Sequence, residues 1–170
     1  QHYPAFDRKV YDLKTRYACQ HSDQVIAISE STKKDLIDYY GVAEDKITVI
    51  YQTCAEDFFQ DKSTALIQKV SQKYGLPSDY MLYVGSITER KNLLGILKAM
   101  TLLPKEMELP QVIVGSVQPY LKEVQQFMSQ HGLTRFIHSI RPQNEDLPFI
   151  YQKANHFIYP SFYEAFGMPI

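Results

Sequence analysis

Short, nearly uninterrupted apolar runs alternate along this chain with stretches of about ten residues whose apolar positions recur at helical spacing. That alternation is what βαβ units look like in sequence, and it leaves few architectures open. Tyr80–Gly85 (YMLYVG), Gln111–Gly115 (QVIVG), Phe136–Ser139 and His156–Tyr159 (HFIY) read as strands, with helices predicted over about 92–103, 120–131 and 145–153. Upstream, a helix over 6–20 carries Phe6, Val10, Leu13 and Tyr17 at helical spacing, and Gln24–Ser29 (QVIAIS) is a strand. A helix over about 30–40 follows, capped by Ser29 or Ser31 and stopped by Gly41, and Ile47–Tyr51 is the next strand. The pattern then breaks from Gln52 to Lys62, which marks a hinge over 53–62, before a helix over about 63–74 ended by Gly75 and Pro77. Strands that lack polar alternation are covered on both faces. The predicted fold class is therefore α/β: a doubly wound, Rossmann-like parallel sheet.

Composition removes other classes. Apolar residues make up 45% and charged residues 22%, a globular balance that excludes disorder and collagen-like repeats. Lys plus Arg number 18 against 19 Asp plus Glu, a net charge of −1, so no nucleic-acid partner held by phosphate neutralisation is expected. No apolar run approaches the roughly 18–20 residues that span a bilayer. Cys19 and Cys54 are the only cysteines and form no C-x-x-C pair, which excludes a disulfide scaffold and suits a reducing, cytoplasmic setting. A start at Gln1 and a stop at Ile170 just after Pro169 lead us to expect a piece of a longer protein, truncated at both ends.

Open α/β sheets bind ligands beyond the carboxyl ends of their strands, and three such ends carry chemistry. At the first, Val84-Gly85-Ser86 leads through Thr88-Glu89-Arg90-Lys91-Asn92 into a helix. Two cations at a helix entrance gain nothing from the dipole, so either an anionic ligand sits there or the loop is basic and solvated. Val114-Gly115-Ser116 repeats the arrangement one unit later, though glycine after a buried strand is often only a tight turn. The third end runs from Tyr159 to Pro169, with Glu164 a lone acid among aromatic and turn residues. It is either a solvated loop acid or a group that binds a hydroxyl-rich ligand, with the glycine and its neighbours offering backbone N–H groups.

Missing patterns narrow the chemistry. The sequence has no G-x-G-x-x-G, no G-x-x-x-x-G-K-[ST] and no G-x-S-x-G. No two aspartates lie two apart, and His2, His21, His131, His138 and His156 show no H-x-x-x-H spacing, so no metal site is expected.

Three stretches together resemble one family. VIAISESTKKDLIDYYGVAEDKITVIYQ resembles the segment joining the two halves of the retaining nucleotide-sugar glycosyltransferases of family 4, the group 1 transferases. YMLYVGSITERKNLLGILKAM resembles their strand-loop-helix that receives the donor's phosphates, and DLPFIYQKANHFIYPSFYEAFGMPI their donor-sugar signature. The resemblance implies the GT-B fold, two Rossmann-like domains flanking a cleft. Residues 1–52 would be the tail of the acceptor-side domain and 63–170 a truncated nucleotide-sugar domain. It implies a hexosyltransferase-type enzyme of polysaccharide or glycoconjugate synthesis that retains configuration and needs no metal or other cofactor. Its partners would be a nucleoside-diphosphate sugar and a glycan or lipid-linked acceptor, and this piece alone would be inactive.

Carried over by position, Lys91 would grip the donor diphosphate with Arg90 beside it, and both would stabilise charge on the leaving group. Glu164 would accept hydrogen bonds from the transferred sugar. Backbone amides around Phe166, Gly167 and Met168 would bind that sugar or its phosphate, and Gly85 and Ser86 would line the phosphate pocket. There are departures. Many members carry Arg where this chain has Ser86, which places the second cation at Arg90. The common Asn-Gly-Val-Asp at the hinge is Gln52-Thr53-Cys54-Ala55, and a glycine usual near the nucleobase is Ile140. The family's second signature glutamate would fall two positions past Ile170. Two other readings stand beside the transferase: a non-catalytic nucleotide- or sugar-binding module, and an epimerase or phosphorylase on the same fold. The basic residues of the first helix, Arg8, Lys9, Lys14 and Arg16, are either a solvated face or a peripheral contact with an anionic membrane.

Overall fold

The computed structural model describes residues 4–115 and 121–167. The chain divides into two compact units: one runs through Cys54 and takes in the segment beginning at Glu164, and the other runs from Ala55 to Tyr163.

In the first unit, α1 (Ala5–His21), β1 (Val25–Ala27), α2 (Glu30–Tyr40) and β2 (Ile47–Val49) follow in order, and the two strands pair in parallel with Val25 opposite Ile47. Ser29 caps α2, its hydroxyl accepting from the Thr32 N–H at 3.0 Å. Gly41 ends the helix at φ 66°, a left-handed conformation suited to glycine. The core here is Cys19, Ala27, Val42 and Ile47. A sheet of two strands gives α1 little to pack against, and its Phe6, Leu13 and Tyr17 are 76%, 58% and 64% exposed.

The second unit holds α3 (Thr64–Tyr74), β3 (Met81–Val84), α4 (Leu93–Met100), β4 (Gln111–Val114), α5 (Leu121–Gln130), β5 (Ile137–Ile140), α6 (Leu147–Lys153) and β6 (His156–Phe157). Its four strands are parallel, in the order β5-β4-β3-β6. The two central strands, β3 and β4, bury both faces. Met81, Tyr83 and Ile113 pack with Leu93, Ile96, Leu97 and Val124 of α4 and α5. Tyr80, Leu82, Val112 and Val114 pack with Val70 of α3 and Ile150 of α6. The doubly wound architecture expected from the apolar runs is what forms. The order also sets the functional geography. From β3 the chain steps outward through β4 to β5, then returns so that β6 lands on the opposite side of β3. The direction of winding thus reverses between β3 and β6, at the kind of switch point where open α/β sheets leave a crevice.

Boundaries differ from expectation by a residue or more at several elements. The helix expected over 92–103 begins at Leu93, because Asn92 takes a left-handed conformation at φ 56°. It ends at Met100, and Thr101–Leu103 turn ahead of Pro104, which disfavours helix at the residue before it. The strand expected over 156–159 closes after Phe157, with one more ladder bond from the Ile158 N–H to the Leu82 carbonyl at 2.8 Å. Tyr120, expected to open α5, lies outside the described residues. The 53–62 segment, read as a hinge, contains a 3-10 turn at Glu56–Phe58, and Gln152 of α6 bonds the Lys62 N–H and the Gln60 carbonyl, both at 2.9 Å.

α3 is pinned to the start of α6 by Asp146, whose carboxylate accepts from the Lys73 ammonium at 2.7 Å and the Tyr74 hydroxyl at 2.6 Å. The Lys73 contact first, then Tyr74, holds the Asp146 pKa below its ordinary value. A carboxyl whose pKa is depressed by folding adds stability above its unfolded pKa and loses it as pH falls through the folded value. Asp146→Asn is therefore expected to lower the melting temperature at pH 7, and the gap to wild type should close as pH drops below the usual value of 3.8. Thermal melts at pH 7 and across the acid limb check this.

Candidate functional site

The ends of β3 and β4 meet through glycine. Gly85, directly after β3, sits at φ 157° and donates its N–H to the Val114 carbonyl at 2.9 Å. A Cβ placed on Gly115 would lie 2.1 Å from the Gly85 carbonyl oxygen, so only glycine at 115 lets the two strand ends run this close. The second strand-glycine is thus more than a turn former; Ser116, its neighbour, lies outside the described residues. Ser86 is half-buried, and its carbonyl accepts from the Tyr83 hydroxyl at 3.1 Å and the Thr88 N–H at 3.0 Å.

Glu89–Lys91 form a 3-10 turn ahead of α4, with Asn92 between turn and helix. The two cations sit in this turn and not in the first turn of α4. Lys91 is 8% exposed, the one buried charged side chain among the described residues. Its ammonium donates to the Tyr159 hydroxyl and lies 4.5 Å from the centre of the Tyr159 ring. Its aliphatic stem passes 3.9 Å from where a Cβ on Gly85 would be. The solvated-loop alternative therefore fails for Lys91. Withdrawing an ammonium from water costs several kcal/mol of hydration, and the phenol oxygen and ring face return part of it. Arg90 is half-buried; its Nη1 donates to the Tyr163 carbonyl at 2.5 Å, and its own carbonyl accepts from the Phe162 N–H at 2.9 Å. The Asn92 amide donates to the Pro160 carbonyl at 3.2 Å.

Beside this cluster is a cavity of about 250 Å³. Ile87, Leu93, Ile113 and Val124 form its apolar wall, and Ser139 and Arg141 its polar edge at the end of β5. Pockets that enclose a whole drug-sized ligand run from about 300 to 1,000 Å³, so this one suits a single ring system of a larger ligand. Ile140, where the family resemblance expects glycine, is also on its wall.

Glu164, Phe166 and Gly167 belong to the first unit. Glu164 is half-buried with its Oε1 out of solvent. The next carbonyl, that of Ala165, accepts from the Ser29 hydroxyl at 2.5 Å and from Thr32 Oγ1 at 3.4 Å. The α2 cap thus doubles as an anchor for this segment. Phe166 stacks on Tyr51 with ring centroids 6.0 Å apart, and Gly167 has φ 87°. Met168 lies outside the described residues. Sequence reading assigned no role to Tyr159, Asn92 or Arg141. Tyr159 reads as the last apolar residue of a strand, and only its contact with a residue 68 positions away reveals its place.

Comparison with known proteins agrees with this geometry. The profile of the glycosyl transferases group 1 family matches residues 67–170, and that of glycosyltransferase family 4 matches residues 1–53. This chain belongs to the group 1 glycosyltransferase family. It is 33% identical to the O-antigen chain mannosyltransferase B of Escherichia coli over 96% of this chain and 44% of the relative. It is 32% identical to the serotype-specific mannosyltransferase WbdA of Escherichia coli over 88% of this chain and 19% of the relative. The chain thus spans less than half the length of either. The crystal structure of HepE from Anabaena in complex with UDP and glucose superposes with a TM-score of 0.77 at 20% identity, covering 90% of this chain and 42% of that one. The shared fold is of the GT-B glycosyltransferase type.

Proposed function

We propose that the natural gene product is a hexosyltransferase that moves a sugar from a nucleoside diphosphate to a glycan acceptor in polysaccharide or glycoconjugate synthesis, and that this chain carries its donor-diphosphate site. The observation that carries the reading is the burial of Lys91 at the β3–β6 switch point, against Gly85 beyond β3 and Tyr159 beyond β6. Mannosyl transfer by relatives supports a hexose as cargo, and a UDP complex of a structural neighbour supports the nucleotide.

The chemistry follows from charge. As the bond between the sugar's anomeric carbon and the β-phosphate oxygen lengthens, negative charge gathers on the departing diphosphate and positive charge on the sugar ring. The Lys91 ammonium, already desolvated, meets the first without reorganising. Gly85 and Ser86 line the phosphates, with the Ser86 N–H as the donor because the Gly85 N–H is held by the Val114 carbonyl, and the cavity edged by Ser139 and Arg141 takes the base. Glu164 accepts hydrogen bonds from sugar hydroxyls, with the amides of Phe166, Gly167 and Met168 beside it. The sugar keeps its anomeric configuration, and no metal or other cofactor takes part. The acceptor is a glycan or lipid-linked glycan, met in the cytoplasm or at the membrane face. Among the described residues no helix is long and apolar enough to cross a membrane, and the basic residues of α1 offer a face for peripheral contact with an anionic membrane.

A ligand that binds only the folded state raises the melting temperature. Screening the gene product against UDP-, GDP-, ADP- and dTDP-linked hexoses should give one strong shift, retained in EDTA, and that nucleotide sugar should be consumed only when a glycan acceptor is present. No shift from any of them, or consumption without acceptor, would contradict the assignment.

A further inference from the structure

We infer that Arg90 and Asn92 are positioning residues that clasp the loop between β6 and Glu164, so that Arg90 serves the donor sugar and not the diphosphate. The inference rests on the donor-site reading above. β6 ends at Phe157, and after the Ile158 bond the sheet no longer holds the chain. From there the 90–92 turn takes over. Tyr159 meets Lys91, the Pro160 carbonyl accepts from the Asn92 amide, the Phe162 N–H donates to the Arg90 carbonyl, and the Tyr163 carbonyl accepts from the Arg90 guanidinium. Three consecutive residues thus hold four of the five residues that lead into Glu164.

The last of these bonds matters most. The Tyr163 carbonyl and the Glu164 N–H belong to one planar peptide group. Fixing that oxygen with a guanidinium at 2.5 Å fixes the peptide plane at the end of the loop. The fold is shaped around the clasp on its other side too. Asn92 is the one non-glycine residue with positive φ among the described residues. A Cβ on Gly95 would fall 2.6 Å from the Asn92 Oδ1, so glycine at 95 is what leaves room for the amide that reaches Pro160. Neither feature is needed to hold a phosphate at Lys91; both are needed to hold the loop.

The test compares two ligands that differ by the sugar. Affinities of the gene product for GDP against GDP-mannose, and UDP against UDP-glucose, are measured by calorimetry in wild type, Arg90→Ala, Asn92→Ala and Lys91→Ala, together with the transfer rate. For whichever pair binds, Arg90→Ala and Asn92→Ala should change affinity for the free diphosphate less than about threefold while weakening the nucleotide sugar or slowing transfer at least tenfold. Lys91→Ala should weaken both ligands alike. A general loss of fold would move all ligands together, and Asn92→Ala keeps the comparison open should Arg90→Ala fail to fold. Equal loss of diphosphate and nucleotide sugar in Arg90→Ala or Asn92→Ala overturns the clasp while leaving the donor site standing. Failure of wild type to bind any of the four overturns the donor-site reading and the clasp with it.

Discussion

Replacing Lys91 by alanine should weaken nucleoside-diphosphate binding by about 10- to 150-fold, the 1.5–3 kcal/mol of a charge-assisted contact to phosphate. It should also slow sugar transfer by a further factor of about 10²–10³, the usual loss when one preorganised donor to a developing anion is removed. The two effects separate because the ammonium acts twice: on the bound diphosphate, and more strongly on the charge that grows as the glycosidic bond breaks. Burial makes both large. At 8% exposure Lys91 has little water around it to screen its charge. The protein should fold at least as well without it, since alanine removes the desolvation cost along with the ammonium. Calorimetry with the diphosphate, single-turnover transfer and a thermal melt on the same variant check the three parts.

The second large effect is expected at Gly115. Alanine there drives a Cβ to 2.1 Å from the Gly85 carbonyl oxygen, a backbone atom that no side-chain rotation relieves. One strand end must move, at the overpacking cost of about 1–3 kcal/mol or more. At roughly 2–4 °C per kcal/mol for a protein of this size, the melting temperature should fall by about 2–12 °C. Because the displaced carbonyl opens the loop that carries Ser86 and Lys91, diphosphate affinity should fall with it. Gly132→Ala is the control. That glycine sits at φ 65° with nothing within 4 Å of a new Cβ. It should show only the left-handed backbone penalty of about 1–2 kcal/mol, with diphosphate affinity unchanged. Equal losses of affinity in both variants would remove the special status of the Gly85–Gly115 approach.

Most of the architecture could be read from local pattern. QVIVG and YMLYVG are apolar on both faces because both faces are covered, and a run of that kind carries its meaning within five residues. Ser29, one of the two serines expected, caps the start of α2, and Gly41 and Gly75 end α2 and α3 as expected, since capping is a contact between near neighbours. The strand ends and the cations at 90 and 91 were likewise found from spacing. What spacing could not show is which side chains meet across the sheet. Lys91 was legible as a cation but not as a buried one, because its burial depends on Tyr159 and Gly85. Arg90 was read as a second phosphate ligand, and its bond to a carbonyl 73 residues away has no local signal. Asn92 was read as helix, and its left-handed backbone follows from the amide's bond to Pro160 and the space at Gly95. The close approach of Gly115 to Gly85 is a property of neighbouring strands, so the second glycine could be seen in sequence without its reason.

The central claim is that the diphosphate of a nucleotide-sugar donor sits on Lys91 at the β3–β6 switch point. The most direct test is a crystal structure of the gene product with the nucleoside diphosphate that shifts its melting temperature most. The account predicts phosphate oxygens within hydrogen-bonding distance of the Lys91 Nζ and the Ser86 N–H, with the base in the cavity beside Arg141. A diphosphate bound elsewhere, with Lys91 still closed on Tyr159, would contradict it.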